Sequence, residues 1–100
     1  GIFATIKNLL AGNQTDYSEL IKNGAVVVDV RSPQEFKSGH IKGSKNIPLS
    51  NINKSINNLK GKEVILVCLS GGRAGSAKSI LKRNGIEAHN AGAWQNLNKY

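Results

Sequence analysis

The sequence predicts an α/β domain built on a mainly parallel sheet, and three observations carry that expectation. Helix-period and strand-type segments alternate along the chain. The two strongest strand segments, Ala25 to Val30 and Glu63 to Cys68, are rich in β-branched residues and nearly continuous in apolar ones. Strands buried on both faces, as parallel strands are, have that composition. Both segments also end in polar groups, Asp29 and Arg31 on one and Cys68 on the other. The carboxyl edge of an open α/β sheet is where ligands bind. One hundred residues suit a single domain, taken here as residues 1–100, with one modest core and no internal linker or repeat.

Taken in order, Ile2, Phe3, Ile6, Leu9 and Leu10 follow a helical period, so residues 1–12 form a helical extension closed by Gly12-Asn13. Asp16 caps a short second helix, with Glu19 in capping-box position and Leu20-Ile21 facing inward, and Gly24 ends it. After the first strand, Ser32-Pro33-Gln34-Glu35 starts another helix: serine as N-cap, proline in the first turn, glutamate closing the box. Phe36 is expected to point to the core, and Gly39 to end this helix. His40 to Pro48 reads as loop, with Ile47 in a brief strand. Ile52, Ile56 and Leu59 keep a helical stripe until Gly61. Beyond the second strand, Ala74, Ala77, Ile80 and Leu81 form the inner face of a helix that Lys82-Arg83 and Gly85 finish. Ile86 to Asn90 is expected as a last short strand.

Composition excludes several classes. One cysteine allows no intramolecular disulfide, and with only His40 and His89 to join it no metal site is expected. No apolar run approaches the roughly 20 residues that span a bilayer. No secretory signal is read, and Gly1-Ile2-Phe3-Ala4-Thr5 fits the loose N-myristoylation pattern only if Gly1 is a true start. A lone free thiol fits a reducing cytoplasm, the expected location, although an exported mature form would look the same. The chain carries 14 Lys and Arg against 6 Asp and Glu, a formal charge of +8. Six lysines and no acid lie between Lys37 and Lys62. A solvated, soluble surface is the first reading of that charge, and attraction of small anionic substrates the second. Nucleic acid is a distant third, because aromatic residues make up 5% and no basic helix or stacking motif stands out.

Chemistry concentrates at Cys68-Leu69-Ser70-Gly71-Gly72-Arg73. A strand ending in a thiol, followed by a glycine turn and a helix, lets backbone N–H groups and the positive helix end converge on the sulfur, and Arg73 adds a full charge. Such donors favour the thiolate, the nucleophilic form. Four residues separate Cys68 from Arg73, so N–H groups of Leu69 to Arg73 can ring one small anionic centre, with Gly71 and Gly72 permitting the inward-pointing backbone. The bland alternative is a buried, inert cysteine at the end of a core strand.

This segment resembles the active-site loop of single-domain rhodanese sulfurtransferases. The resemblance extends to Val28-Asp29-Val30-Arg31 and to the stretch from Glu35 through Gly39-His40-Ile41-Lys42-Gly43 to Pro48, covering most of residues 25 to 94. It implies a central sheet of about four to five strands with helices on both faces. It also implies a two-step transfer: Cys68 takes a sulfane sulfur from an anionic donor such as thiosulfate and holds it as a persulfide. A thiol, a protein acceptor or cyanide then removes it. No cofactor or membrane is implied. Carried over residue by residue, Cys68 is nucleophile and carrier, and Leu69, Ser70, Gly71, Gly72 and Arg73 form its cradle. Asp29 and Arg31 match a supporting element, with Arg31 bracing the loop. Leu69 stands where many thiosulfate-using members carry a cation, and Ala91 stands where a second glycine is usual.

Two other readings use the same residues. A related phosphatase also brackets its loop with cysteine and arginine, but with five residues between them where this chain has four. A non-catalytic rhodanese module would dock a partner, although degenerate modules typically lose the cysteine retained here. His40 is expected to form hydrogen bonds rather than transfer protons, and His89 to be structural. The Ser70 hydroxyl has two candidate partners, the bound sulfur and a loop carbonyl. Trp94 is expected as a core or lid aromatic.

Overall fold

The computed structural model describes residues 16–97; the proposed helical extension of residues 1–12 lies outside them. Helix α1 (Tyr17–Lys22) leads into β1 (Val26–Asp29), and α2 (Pro33–Ser38) into the two-residue β2 (Lys45–Asn46). Two 3-10 turns, Leu49–Asn51 and Asn53–Ser55, precede α3 (Ile56–Leu59). Then come β3 (Val64–Cys68), α4 (Gly72–Arg83), β4 (Ala88–Ala93) and a closing 3-10 turn, Trp94–Leu97. The four strands form one sheet in the order β2-β1-β3-β4, every pair parallel.

Alternation along the strands divides the core in two. Val28, Val64, Leu66 and Cys68 face one side, where Ile52, Leu59 and the α4 residues Ala74, Ala77 and Leu81 cover them. Val27, Ile65 and Val67 face the other, under Ile41, Leu97, Trp94 and the inward side of α1. Every residue of β3 is buried, as its uninterrupted apolar run requires. The layering expected from the sequence is therefore present, with helices on both faces of a four-stranded sheet.

Local signals act where they were read. Ser32 accepts from the Glu35 N–H at 3.2 Å while the Glu35 carboxylate accepts from the Ser32 N–H at 3.0 Å, completing a capping box with Pro33 in the first turn. The Asp16 carboxylate caps α1 through the Glu19 N–H.

Four expectations need correction. The Ile52–Leu59 stripe is not one helix but a 3-10 turn, Asn53–Ser55, and a single α turn, Ile56–Leu59. Three asparagines and a serine lower its helix propensity, and Ser55 Oγ donates to the Asn51 carbonyl, although Ile52 and Leu59 still bury. Phe36 belongs to neither core cluster; it stacks on His40 with ring centroids 3.7 Å apart. The brief second strand is Lys45–Asn46, with Ile47 just beyond it donating its N–H to the Asp29 carbonyl. The last strand starts at Ala88 and runs to Ala93, through a register shift between its pairs Leu66↔Asn90 and Cys68↔Ala93. That shift is a bulge, which an alternation rule cannot foresee.

Candidate active site

β3 delivers Cys68 to the carboxyl edge of the sheet and α4 begins four residues later, so the loop between them must turn sharply. Gly71 makes the turn with φ 104°, in the left-handed region that glycine enters without strain. The turn folds the chain back over the sulfur. The Gly71 N–H donates to Cys68 Sγ at 2.8 Å and the Ala74 N–H at 3.4 Å. Both donors stand at the start of α4, whose dipole adds to their positive field. Of these two donors to the free sulfur, Gly71 lies within the expected span of Leu69 to Arg73 and Ala74 is the next residue, in the first helical turn. Cys68 is 1% exposed, while Leu69 and Ser70 form an exposed rim. Among the described residues Leu69 is the exposed large hydrophobic, at 55%. The Ser70 hydroxyl bonds no loop carbonyl among the described residues.

Arg73 does not reach for the sulfur with its charge. Its Nη1 and Nη2 donate to Glu35 Oε1 and Oε2 at 2.6 and 3.0 Å, a bidentate pair that ties the start of α4 to the start of α2. The Arg73 guanidinium and the Ser32 N–H hold the Glu35 carboxyl down from its usual 4.5 to about 2. The Glu35 carboxylate in turn raises the Arg73 guanidinium, with smaller contributions from Cys68 and Asp29. Sequence reading assigned Glu35 to capping alone. A signal for the second role existed: the chain has few acids, and Asp29 sits beside Arg31.

A pH prediction follows from the Glu35–Arg73 pair. Folding depresses the Glu35 carboxyl, so the pair's contribution is complete above 4.5 and is lost as pH falls toward 2. In urea titrations at successive pH values, Glu35→Gln should be less stable than wild type by a constant margin near neutrality. The two curves should converge across that acid window. A margin that persists to the acid end would show that the carboxylate's charge contributes nothing. Because both side chains are about a third exposed, added salt should narrow the margin.

Asp29 and Arg31 reach the same sheet edge as Cys68 but project from the opposite face. Asp29 is level with Val67 in the β1–β3 register, and both are set against the side that Trp94 covers. The Asp29 carboxylate accepts from Arg31 Nε at 2.9 Å, Arg31 Nη2 at 2.7 Å and the Arg31 backbone N–H at 3.0 Å. Arg31 Nη2 also donates to the Gly39 carbonyl at 2.6 Å, and the guanidinium lies 5.0 Å from the Trp94 ring centroid. Arg31 therefore braces the Gly39 segment and Trp94, not the cysteine loop. Gly39 is glycine for a steric reason: a Cβ there would stand 3.2 Å from Trp94.

His40 Nδ1 bonds the Phe36 carbonyl at 2.7 Å and His89 Nε2 bonds Glu63 Oε2 at 2.7 Å, as the structural readings of both expected. Glu63, Glu87 and His89 hold their polar atoms within 4.8 Å of one another, at the amino-terminal ends of β3 and β4 and so at the other end of the sheet from Cys68.

Asn90 is a site residue that the sequence did not announce, being one of twelve asparagines. Its Nδ2 donates to the Gly71 carbonyl at 3.0 Å and its Oδ1 accepts from the Gly92 N–H at 2.9 Å. The Tyr17 hydroxyl donates to the Asn90 carbonyl at 3.2 Å.

An α/β domain with a buried cysteine at the end of a parallel strand, under converging N–H groups at a helix start, is the class of protein that the fold and site define. Comparison with known proteins gives the family. The rhodanese-like domain model matches residues 13–97, and the chain belongs to that family. It is 44% identical over 62 residues to the Bacillus subtilis protein YqhL, described as uncharacterized, covering 61% of this chain and 49% of that one. It is 38% identical over 69 residues to the thiosulfate sulfurtransferase GlpE of Ectopseudomonas mendocina, covering 68% and 63%. A solved rhodanese with anions from E. coli superposes with a TM-score of 0.68 at 29% identity, over 74% of this chain and 92% of that one. The matched stretch thus spans about half to two thirds of these two curated relatives. No helix among the described residues is long and apolar enough to cross a membrane.

Proposed function

We propose that the chain is a sulfurtransferase whose Cys68 carries sulfane sulfur as a persulfide. The observation that supports this most directly is the pair of N–H donors on Cys68 Sγ, from Gly71 and Ala74. In the first step the Cys68 thiolate attacks the outer sulfur of a donor such as thiosulfate. The S–S bond forms as the donor's own S–S bond breaks, and sulfite leaves with the electron pair. The charge now rests on the terminal sulfur, one bond further toward the rim, where backbone donors stabilise an anion without reorganising. In the second step a thiol attacks that sulfur and its proton passes to the product persulfide, R–S–SH, as the Cys68 thiolate departs. Cyanide would leave as thiocyanate in the same way. A thiosulfate-using relative, a protein or small-thiol acceptor and a cytoplasmic setting all accord with this reading, and it calls for no metal or organic cofactor.

The deciding experiment is mass spectrometry of the intact protein after brief exposure to thiosulfate and, separately, to a small-molecule persulfide. A single added sulfur atom, removed by cyanide or a thiol, is expected. No adduct with any sulfane donor would favour the docking-module reading instead.

A further inference from the structure

We propose that Asn90 is the positioning residue of the cysteine loop: its carboxamide holds Gly71 so that the Gly71 N–H is aimed at the sulfur. The inference rests on Cys68 being the reacting group, and it concerns a residue two elements on in the chain's order, in β4. The orientation of the amide is settled by its partners, because a backbone N–H only donates and a carbonyl only accepts. With Gly92 N–H on one end and the Gly71 carbonyl on the other, Oδ1 and Nδ2 have one arrangement each.

Gly71 needs such a hold. Its φ of 104° lies in a region where glycine has broad freedom, and that angle points the N–H now 2.8 Å from Sγ. The Gly71 carbonyl accepts twice, from the Gly75 N–H at 2.9 Å and from Asn90 at 3.0 Å. The first bond belongs to the opening turn of α4, and the second ties that turn to β4. These two bonds hold the peptide unit that follows Gly71, and the N–H, in the preceding unit, is joined to it only through the φ and ψ of Gly71, so the hold limits how far the N–H can swing from the sulfur.

Glycines lie at contact distance around the amide. A Cβ at Gly75 would stand 3.4 Å from Asn90 Nδ2, and one at Gly71 would stand 3.6 Å from the Gly92 Cα. Gly92 itself has φ 78° and sits in the β4 bulge that follows Asn90. Gly71 and Gly75 at the start of α4 therefore lie against the Asn90 side chain, Gly92 of β4 bonds it, and Tyr17 of α1 holds its backbone from a third element.

The test compares wild type with Asn90→Asp and Asn90→Ala. Asn90→Asp keeps the shape and the acceptor for Gly92 but sets an oxygen against the Gly71 carbonyl. Three quantities are measured: the kcat and KM for sulfur loading, the amide resonance and hydrogen exchange of Gly71 by NMR, and exchange along β3. Asn90→Asp should lower kcat about tenfold, the effect of one lost hydrogen bond at the reacting group, with KM nearly unchanged. The Gly71 amide should shift and exchange faster in both variants while Val64 to Val67 stay protected. Wild-type kcat with an unmoved Gly71 amide would overturn the proposal. So would parallel loss of protection in β3, since Asn90 would then be merely structural. Should wild type take sulfur from no donor, the sulfurtransferase reading fails, and the Gly71 amide alone still decides the role of Asn90.

Discussion

Cys68→Ser is expected to abolish sulfur transfer, by at least about a thousandfold, while leaving the fold intact. The sulfur is the reacting atom, and a hydroxyl in its place is neither ionised near neutral pH nor able to form a persulfide. Serine is close in size, can accept from the Gly71 and Ala74 N–H groups, and occupies one buried position at the end of β3. Thermal and urea midpoints should therefore move little, and intact-mass analysis should show no sulfur adduct. Residual loading by the variant would place the acceptor sulfur elsewhere, which the sequence makes impossible within this chain because Cys68 is its single sulfur atom. Retained turnover would thus overturn the persulfide mechanism outright. Loss of melting cooperativity together with activity would instead assign Cys68 to packing.

The second large effect is on stability. Arg31→Ala should destabilise the domain by about 3–5 kcal/mol, because it leaves a carboxylate buried without its counter-charge. Asp29 is 0% exposed and Arg31 is 3% exposed, so solvent relieves neither. A domain of this size has only about 5–15 kcal/mol in total, and each 1 kcal/mol moves its melting point by roughly 4–8 °C. A melting point lowered by well over 10 °C is the expected reading by calorimetry or circular dichroism. Asp29→Ala should cost a similar amount, and the double variant much less than the sum, since the two groups are coupled. Additive losses, or a shift of only a few degrees, would show that the pair is not the brace its geometry describes. Loss of Arg31 also frees the Gly39 carbonyl and the face of Trp94, so the 39–44 segment should exchange its amides faster.

The ease with which each feature could be read from the sequence follows from the range of the forces involved. The strands at Val26–Asp29 and Val64–Cys68 were legible because burial on both faces demands an unbroken apolar run, which is a local property. The capping box at Ser32 and Glu35 was legible because its partners lie three residues apart. Cys68 and its glycines were legible because a strand, a turn and a helix start are contiguous in the chain. The α3 region was misread because short polar side chains broke a periodicity that the apolar residues alone suggested. The role of Phe36 was misread because its ring is half-buried against the exposed His40 rather than within either core cluster, a contact that hydrophobicity alone does not indicate.

By itself, then, the sequence determined the alternation of elements, the two central strands, the helix starts and the identity of the sulfur-bearing residue. All of these depend on neighbours a few positions away. Only the tertiary structure decided which groups meet around that sulfur. Glu35 meets Arg73 across 38 positions, Asn90 meets Gly71 across 19, and Arg31 turns to the opposite face of the sheet from Cys68. Such pairings are set by how strands register and which face each side chain takes. A single bulge or a change of one residue in parity redirects them, and no local pattern records the result.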